Sequence, residues 1–176
     1  MLAPDSHTEL RATGVRFLPV EHEGCSQRSE VEAQVIREIF GDLLRQRYVD
    51  REGNEYQMAL HNILVVAPYN QQVNWLKRVL PEGARVGTVD KFQGQEAEVV
   101  LVSMTTSSGQ YLPRDLEFLY SKNRLNVAIS RARCLAIVVA SPMLLDVECS
   151  QPEQMALVNT LCWVRDYSRE FESKQE

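Results

Sequence analysis

Apolar residues recur along this chain in two rhythms. In 29-SEVEAQVIREIFGDLLRQRY-48, Val31, Val35, Ile36, Ile39, Leu43 and Leu44 return at steps of three and four, the spacing that lines one face of a helix. Ser29 followed by Glu32 supplies the S-x-x-E capping box that opens such a helix. In 62-NILVVAP-68, 98-EVVLVSM-104 and 134-CLAIVVA-140 the apolar residues instead run almost unbroken, as in strands covered on both faces. Shorter runs at 15-VRFLPV-20 and 85-RVGTV-89 read as further strands, and 70-NQQVNWLKRVL-80, 124–132 and about 152–169 as helices. The polar stretch 49–58 and the segment from 105 to about 122 read as loops. Strands alternating with helices predict an α/β fold with a mainly parallel sheet and helices on both faces.

With 176 residues and 44% apolar content, the chain can bury roughly 70% of its unfolded surface in one domain. Residues 14–167 are predicted to form that domain, 1–13 a disordered edge or linker, and 168-SREFESKQE-176 a frayed tail. Cys25, Cys134, Cys149 and Cys162 are far apart with no C-x-x-C, so neither a zinc site nor a disulfide framework is indicated and reduced, cytoplasmic thiols are expected. His7, His22 and His61 show no metal-ligand spacing and no nucleophile partner. They are read as structural or exposed, and no metal site is expected. No apolar stretch approaches the ~18 residues of a membrane span. A net charge of −5 argues against a surface that wraps a polyanion, but leaves room for a local groove that binds one.

The polar residues are concentrated where the predicted strands end or begin. Ligands of open α/β sheets collect at strand ends, where loops run into helix N-termini. One such place is Pro68-Tyr69-Asn70-Gln71-Gln72. A second is Thr88, Asp90, Lys91, Gln93, Gly94, Gln95 and Glu96, between two strands. A third is Arg124, Asn126, Ser130, Arg131 and Arg133 along the helix expected at 124–132, where Arg124 and Arg131 stand two turns apart on one face. Gly94 permits close backbone approach to a ligand. Arginines suit phosphate, to which a guanidinium gives paired hydrogen bonds. Trp75, Trp163, Phe92 and Tyr120 are read as core residues.

These strings together resemble a known family. The block 86-VGTVDKFQGQEAEVVLVSM-104 resembles motif V, and 123-NRLNVAISRARCLAIVVASP-142 motif VI, of superfamily 1 DNA and RNA helicases, in the branch that includes the nonsense-mediated-decay helicase. Residues 68–72 resemble motif IV, and 24-GCSQRSEVEA-33 resembles the segment that begins the second RecA-like domain, with Ser29 where Asn is usual. The ending 151-QPEQMALVNTLCWV-164, with 117-EFLYSKNRLNVA-128, is similar to bacterial proteins in which this core follows a RecB-like nuclease. The resemblance implies a three-layer RecA-like fold of the P-loop NTPase type, serving as the C-terminal motor domain of an ATP-dependent helicase.

The same resemblance assigns roles. Arg131 is implied as the arginine finger on the γ-phosphate, with Gln93 and Glu96 also catalytic. Tyr69, Gln72, Gly94, Glu96, Arg124 and Arg131 are implied to bind nucleotide, and Thr88, Asp90, Lys91 and Asn126 to bind the nucleic acid. Val73 stands where many relatives have a further arginine. No G-x-x-x-x-G-K followed by Ser or Thr occurs, so ATP with Mg2+ is expected to be held mainly by an N-terminal RecA-like domain, with single-stranded DNA or RNA as the other partner and no membrane. A non-catalytic module of the same shape is the competing reading. A small-molecule α/β enzyme lacks a nucleophile–base set.

Overall fold

In the computed structural model the described residues are 13–92, 94–111, 122–149 and 152–173; residues 122–124, 153, 157 and 169–173 are described in backbone alone. Gln93 and Tyr120, the side chain of Arg124, most of the edge at 1–13 and the end of the tail lie outside them. In chain order the elements are β1 (Gly14–Pro19), α1 (Glu30–Leu44), β2 (Arg47–Val49), β3 (Glu55–Gln57), β4 (Ile63–Val66), α2 (Asn70–Val79), β5 (Arg85–Gly87), β6 (Ala97–Ser103), α3 (Lys122–Ser130), β7 (Ala132–Ala140) and α4 (Pro152–Ser173). Five strands form one sheet in the order β1-β7-β6-β4-β5. Every pairing in it is parallel.

The unbroken apolar runs become central strands because both faces of the sheet are covered. Along β4, Ile63 and Val65 pack with Ile36, Phe40, Leu43 and Leu76 of α1 and α2, while Leu64 and Val66 join Leu125, Ala128, Val158 and Leu161 of α3 and α4. β6 alternates in the same way, with Val99 and Leu101 on the first face and Val100 and Val102 on the second. Each fully buried side chain of this size stabilises the fold by about 1.5–3 kcal/mol. The result is the three-layer α/β architecture that the sequence implied.

Three helix ends differ from expectation. The helix predicted through residue 48 ends at Leu44, and the stretch predicted as a loop contains the antiparallel β2–β3 hairpin. Its turn is organised by Asp50, whose Oδ1 accepts from the backbone N–H of Glu52 at 2.8 Å and of Asn54 at 2.9 Å. The bonds from Asn54, its side chain first, hold the Asp50 carboxyl below the ordinary aspartate range. Gly53 takes φ +89 there, and Tyr48 stacks on Tyr56 with ring centroids 5.5 Å apart.

The second boundary is α3, which stops at Ser130 instead of 132. The backbone N–H of Ala97 donates to Arg131 O and Ala97 pairs with Ala132, so residues 131–133 are drawn into the sheet. Arg133, expected along the helix, is therefore a strand residue. At the C-terminus, the helix expected over 152–169 spans Pro152–Ser173.

Candidate functional site

The strand order fixes where a crevice opens. From β4 the chain moves to β5 on one side, then crosses back to lay β6 against the other side of β4. Connections diverge to opposite faces there, leaving a gap at the carboxyl ends of β4 and β6, the position at which open α/β sheets bind ligands. A pocket of about 410 Å³ occupies it. Its floor is apolar: Val66 and Val102 at the strand ends, Met104 just beyond, and Leu125 and Ala128 from α3. The rim is polar, with Gln27, Asn70, Gln71, Thr88 and Asp90 around the buried ring of Tyr69. Gln71 Nε2 donates to Gln27 Oε1 at 2.9 Å, closing one side.

α2 begins at this rim without a side-chain cap. Its N-cap is Tyr69, and Asn70 is an exposed first-turn residue and not a capping group. Gln72, one residue further in, is fully buried. Its Oε1 accepts from Ser29 N at 2.9 Å, and its Nε2 donates to Ser29 O at 3.0 Å and Ser103 Oγ at 3.1 Å. The amide implied to contact nucleotide is thus committed to fastening the loop before α1. Val73 is 5% exposed in the α1/α2 cluster, on the face away from α3. Position 73 therefore offers no second arginine to the site of Arg131.

Beneath this lies a polar network absent from the sequence-derived site set. Ser29 caps α1 as expected, accepting from Glu32 N at 3.2 Å, but Glu32 does not complete the box. It turns inward, fully buried, and accepts from Ser103 Oγ at 2.5 Å and from Thr105 N at 2.8 Å. His22 Nε2 lies 2.9 Å from Glu32 Oε1, and His22 Nδ1 lies 2.7 Å from Ser107 Oγ. Cys25 N donates to the same Ser107 oxygen at 2.9 Å. His22 thus has the partners its sequence context lacked, 10 and 85 positions away. Although Ser, His and Glu are the components of a hydrolase triad, Ser107 is wholly buried, so the trio positions a loop and presents no nucleophile. It holds Thr105 at φ +72, just beyond Met104 of the pocket floor.

A second polar cluster stands at the other end of the sheet. Glu96 immediately precedes β6 and pairs with Arg133 of β7 at 3.0 Å, and Arg133 also reaches Glu98 at 3.4 Å. The Glu96 bond, then the charge of Glu98, pushes the Arg133 guanidinium above its usual range. Glu98 accepts from Asn62 Nδ2 at 2.7 Å. Tyr48 lies beside this group, and burial followed by the Glu98 charge raises its phenol. Arg85 donates to Gln95 Oε1 at 2.8 Å. Arg131 donates from NH1 to Gln95 O at 3.1 Å, while its Nε is buried with no partner among the described residues. Gly94, at φ +76, makes the turn that carries Gln95 and Glu96 to these arginines.

The implied site residues thus separate into two groups. Tyr69, Thr88 and Asp90 meet at the pocket; Gly94, Glu96 and Arg131 meet at the amino ends of β6 and β7, about 20 Å away along the seven residues of β6. Lys91 folds back, its Nζ donating to Val86 O at 3.2 Å, and Asn126 is exposed on α3; neither lines the pocket. Of the four aromatics read as core, Phe92 is buried, Trp75 is half-buried under Arg28, with 4.7 Å from the guanidinium carbon to the ring centroid, and Trp163 is 59% exposed, stacked on Tyr167. Among the described residues no group of three or more His, Cys, Asp or Glu could hold a metal ion, and no helix is long and apolar enough to cross a membrane.

Comparison with known proteins places this arrangement. Residues 9–143 match the family described as an AAA domain. The putative helicase mov-10-B.2 of Danio rerio is 37% identical over 99 residues, which cover 48% of this chain and 10% of that protein. The probable RNA helicase armi of Drosophila melanogaster is 38% identical over 95 residues, 48% of this chain and 8% of that protein. The DNA polymerase alpha-associated DNA helicase A of Saccharomyces cerevisiae is 29% identical over 121 residues, 66% of this chain and 16% of that protein. The chain therefore spans only a small part of the length of these relatives. Since the family match covers most of the chain, and the fold is the one its motifs imply, the chain belongs to that AAA-domain family as a RecA-like domain of a superfamily 1 helicase.

Proposed function

We propose that this domain is the C-terminal motor domain of an ATP-dependent helicase, contributing one wall of an ATP site and part of a single-stranded DNA or RNA track. The observation that carries the reading is the segment Thr88–Glu96. Its first residue lines the pocket and its last pairs with Arg133 at the opposite end of β6. Between them Lys91 N is bonded to Thr88 O at 3.1 Å and Gln95 N to Phe92 O at 3.0 Å, so backbone hydrogen bonds tie the link near both of its ends. A displacement of Gln95 and Glu96 on the nucleotide side is thereby passed to Thr88 and Asp90 on the strand side.

ATP with Mg2+ supplies the phosphoryl group whose transfer to water drives the cycle. The residues present suit its phosphates: the Arg131 guanidinium retains a donor without an acceptor, beside the exposed turn of Gly94 to Glu96. Arg131 neutralises charge on the γ-phosphate, and Glu96, released from Arg133, accepts from a ribose hydroxyl or orients water. At the pocket, Thr88 contacts the strand, and the uncapped amino end of α2 donates to its phosphates. An N-terminal RecA-like domain provides the phosphate-binding loop and most of the contacts to Mg2+. The two domains close on ATP and open after hydrolysis, shifting the strand.

The test is steady-state phosphate release, with and without single-stranded oligonucleotide. The 176-residue chain alone is expected to be inactive, and the parent protein containing the first domain to turn over. Turnover by the chain alone at a rate comparable to the parent's would overturn the two-domain reading.

A further inference from the structure

The contents of the 410 Å³ pocket do not match what a phosphodiester backbone requires. Among the described residues no lysine or arginine lines it, and its one charged residue is Asp90, which repels phosphate. Its floor, in contrast, is five aliphatic side chains. A phosphate gains nothing from these, whereas a flat, partly apolar group gains by covering them. The volume lies in the ~300–1,000 Å³ range of small-molecule sites, far more than one phosphate needs.

We propose that this pocket receives a nucleobase turned out of the single strand, while the neighbouring phosphates lie outside on the amino end of α2. The inference rests on the proposed strand track and deepens it by naming which part of the nucleic acid enters. The base lies over Met104, Val102 and Leu125 beside the ring of Tyr69. Its edge faces Thr88, Asn70 and Gln71, side chains that offer both donors and acceptors. Such a mixed set tolerates every base, because all bases have an apolar face and the amides accept either polarity. The adenine of ATP is a less suitable occupant: the residues that suit its phosphates, Glu96 and Arg131, border the amino ends of β6 and β7, away from the pocket mouth.

The decisive comparison holds phosphates constant and removes the bases. Binding of the full chain to a fluorescent ten-residue oligothymidylate is measured by anisotropy at low ionic strength, beside a strand of the same length made of abasic deoxyribose units. The abasic strand is expected to bind roughly 5- to 100-fold more weakly. Ala128→Leu, which fills the pocket floor, is expected to bring the thymidylate affinity down to the abasic level while leaving abasic binding unchanged. The wild-type comparison decides the matter even if that variant does not fold. Equal affinity for both strands overturns the base pocket but leaves the strand track standing, and if millimolar adenosine then also binds, the pocket belongs to the nucleotide. Failure to bind either strand overturns the track itself and this inference with it.

Discussion

Arg131 and Arg133 are both arginines of motif VI, and their surroundings differ in kind. Arg133 is exposed and committed to the buried Glu98 and to the exposed Glu96, the latter an ion pair of the solvent-screened sort that contributes about 0–1 kcal/mol. Arg131 has only the Gln95 carbonyl among the described residues, and a carbonyl is readily exchanged for a phosphate oxygen. In the parent helicase Arg131→Ala is expected to lower kcat by about 10³-fold or more while KM for ATP stays within a few-fold, because a finger acts on charge that develops in the transition state. Arg133→Ala frees Glu96 and should change kcat by less than about tenfold. Rate constants from a coupled phosphate assay check both. Near-normal turnover by Arg131→Ala, or a larger loss from Arg133→Ala, sinks the assignment. At this same scale the sequence misleads about Gln72 and Glu32. Each sits in a motif-like string, yet each is buried and spent on partners up to 43 and 73 positions away. Polar burial of that kind is set by the fold and has no local signature.

Among the elements, legibility follows burial. The runs at 62–68, 98–104 and 134–140 announce β4, β6 and β7 because both faces of those strands are covered and every position is apolar. The hairpin of β2 and β3 has three-residue strands, β3 exposed throughout, so no alternation marks it. α3 looked two residues longer because Ala132 suits a helix, but pairing with Ala97 captures it for the sheet. Glycines test the geometry of two elements independently. Gly94 has open space around it but sits at φ +76, so Gly94→Ala is expected to cost about 1–2 kcal/mol through backbone strain alone. Gly41 lies inside α1, also with nothing within 4 Å, and Gly41→Ala is expected to stabilise by about 0.5–1 kcal/mol. Urea midpoints for the two variants should therefore move in opposite directions. A Gly94→Ala variant as stable as the parent would mean that the motif V turn does not need the left-handed conformation, and Glu96 is then not held at the arginines by it.

For the whole molecule, charge limits how the strand can be held. The chain carries −5 with a pI near 5.3, so its average field repels a polyanion, and any attraction must come from a few local donors. The pocket adds no positive charge among the described residues, Lys91 is turned to a backbone carbonyl, and the proposed phosphate contacts are dipolar amides at the amino end of α2. Counter-ion release scales with the phosphates neutralised, at a slope of about −0.7 each for a single strand. With no more than about two such contacts the slope should be near −1.4, which makes the affinity fall by roughly sevenfold between 50 and 200 mM salt. A basic groove making six or more contacts would lose roughly 300-fold or more over the same range at that slope. Anisotropy titrations of the chain across that salt series distinguish the cases. A slope steeper than about −3 would require a cationic surface elsewhere on the domain to carry the strand. The pocket would then be left without its proposed occupant, and the segment from Thr88 to Glu96 would no longer join two working sites.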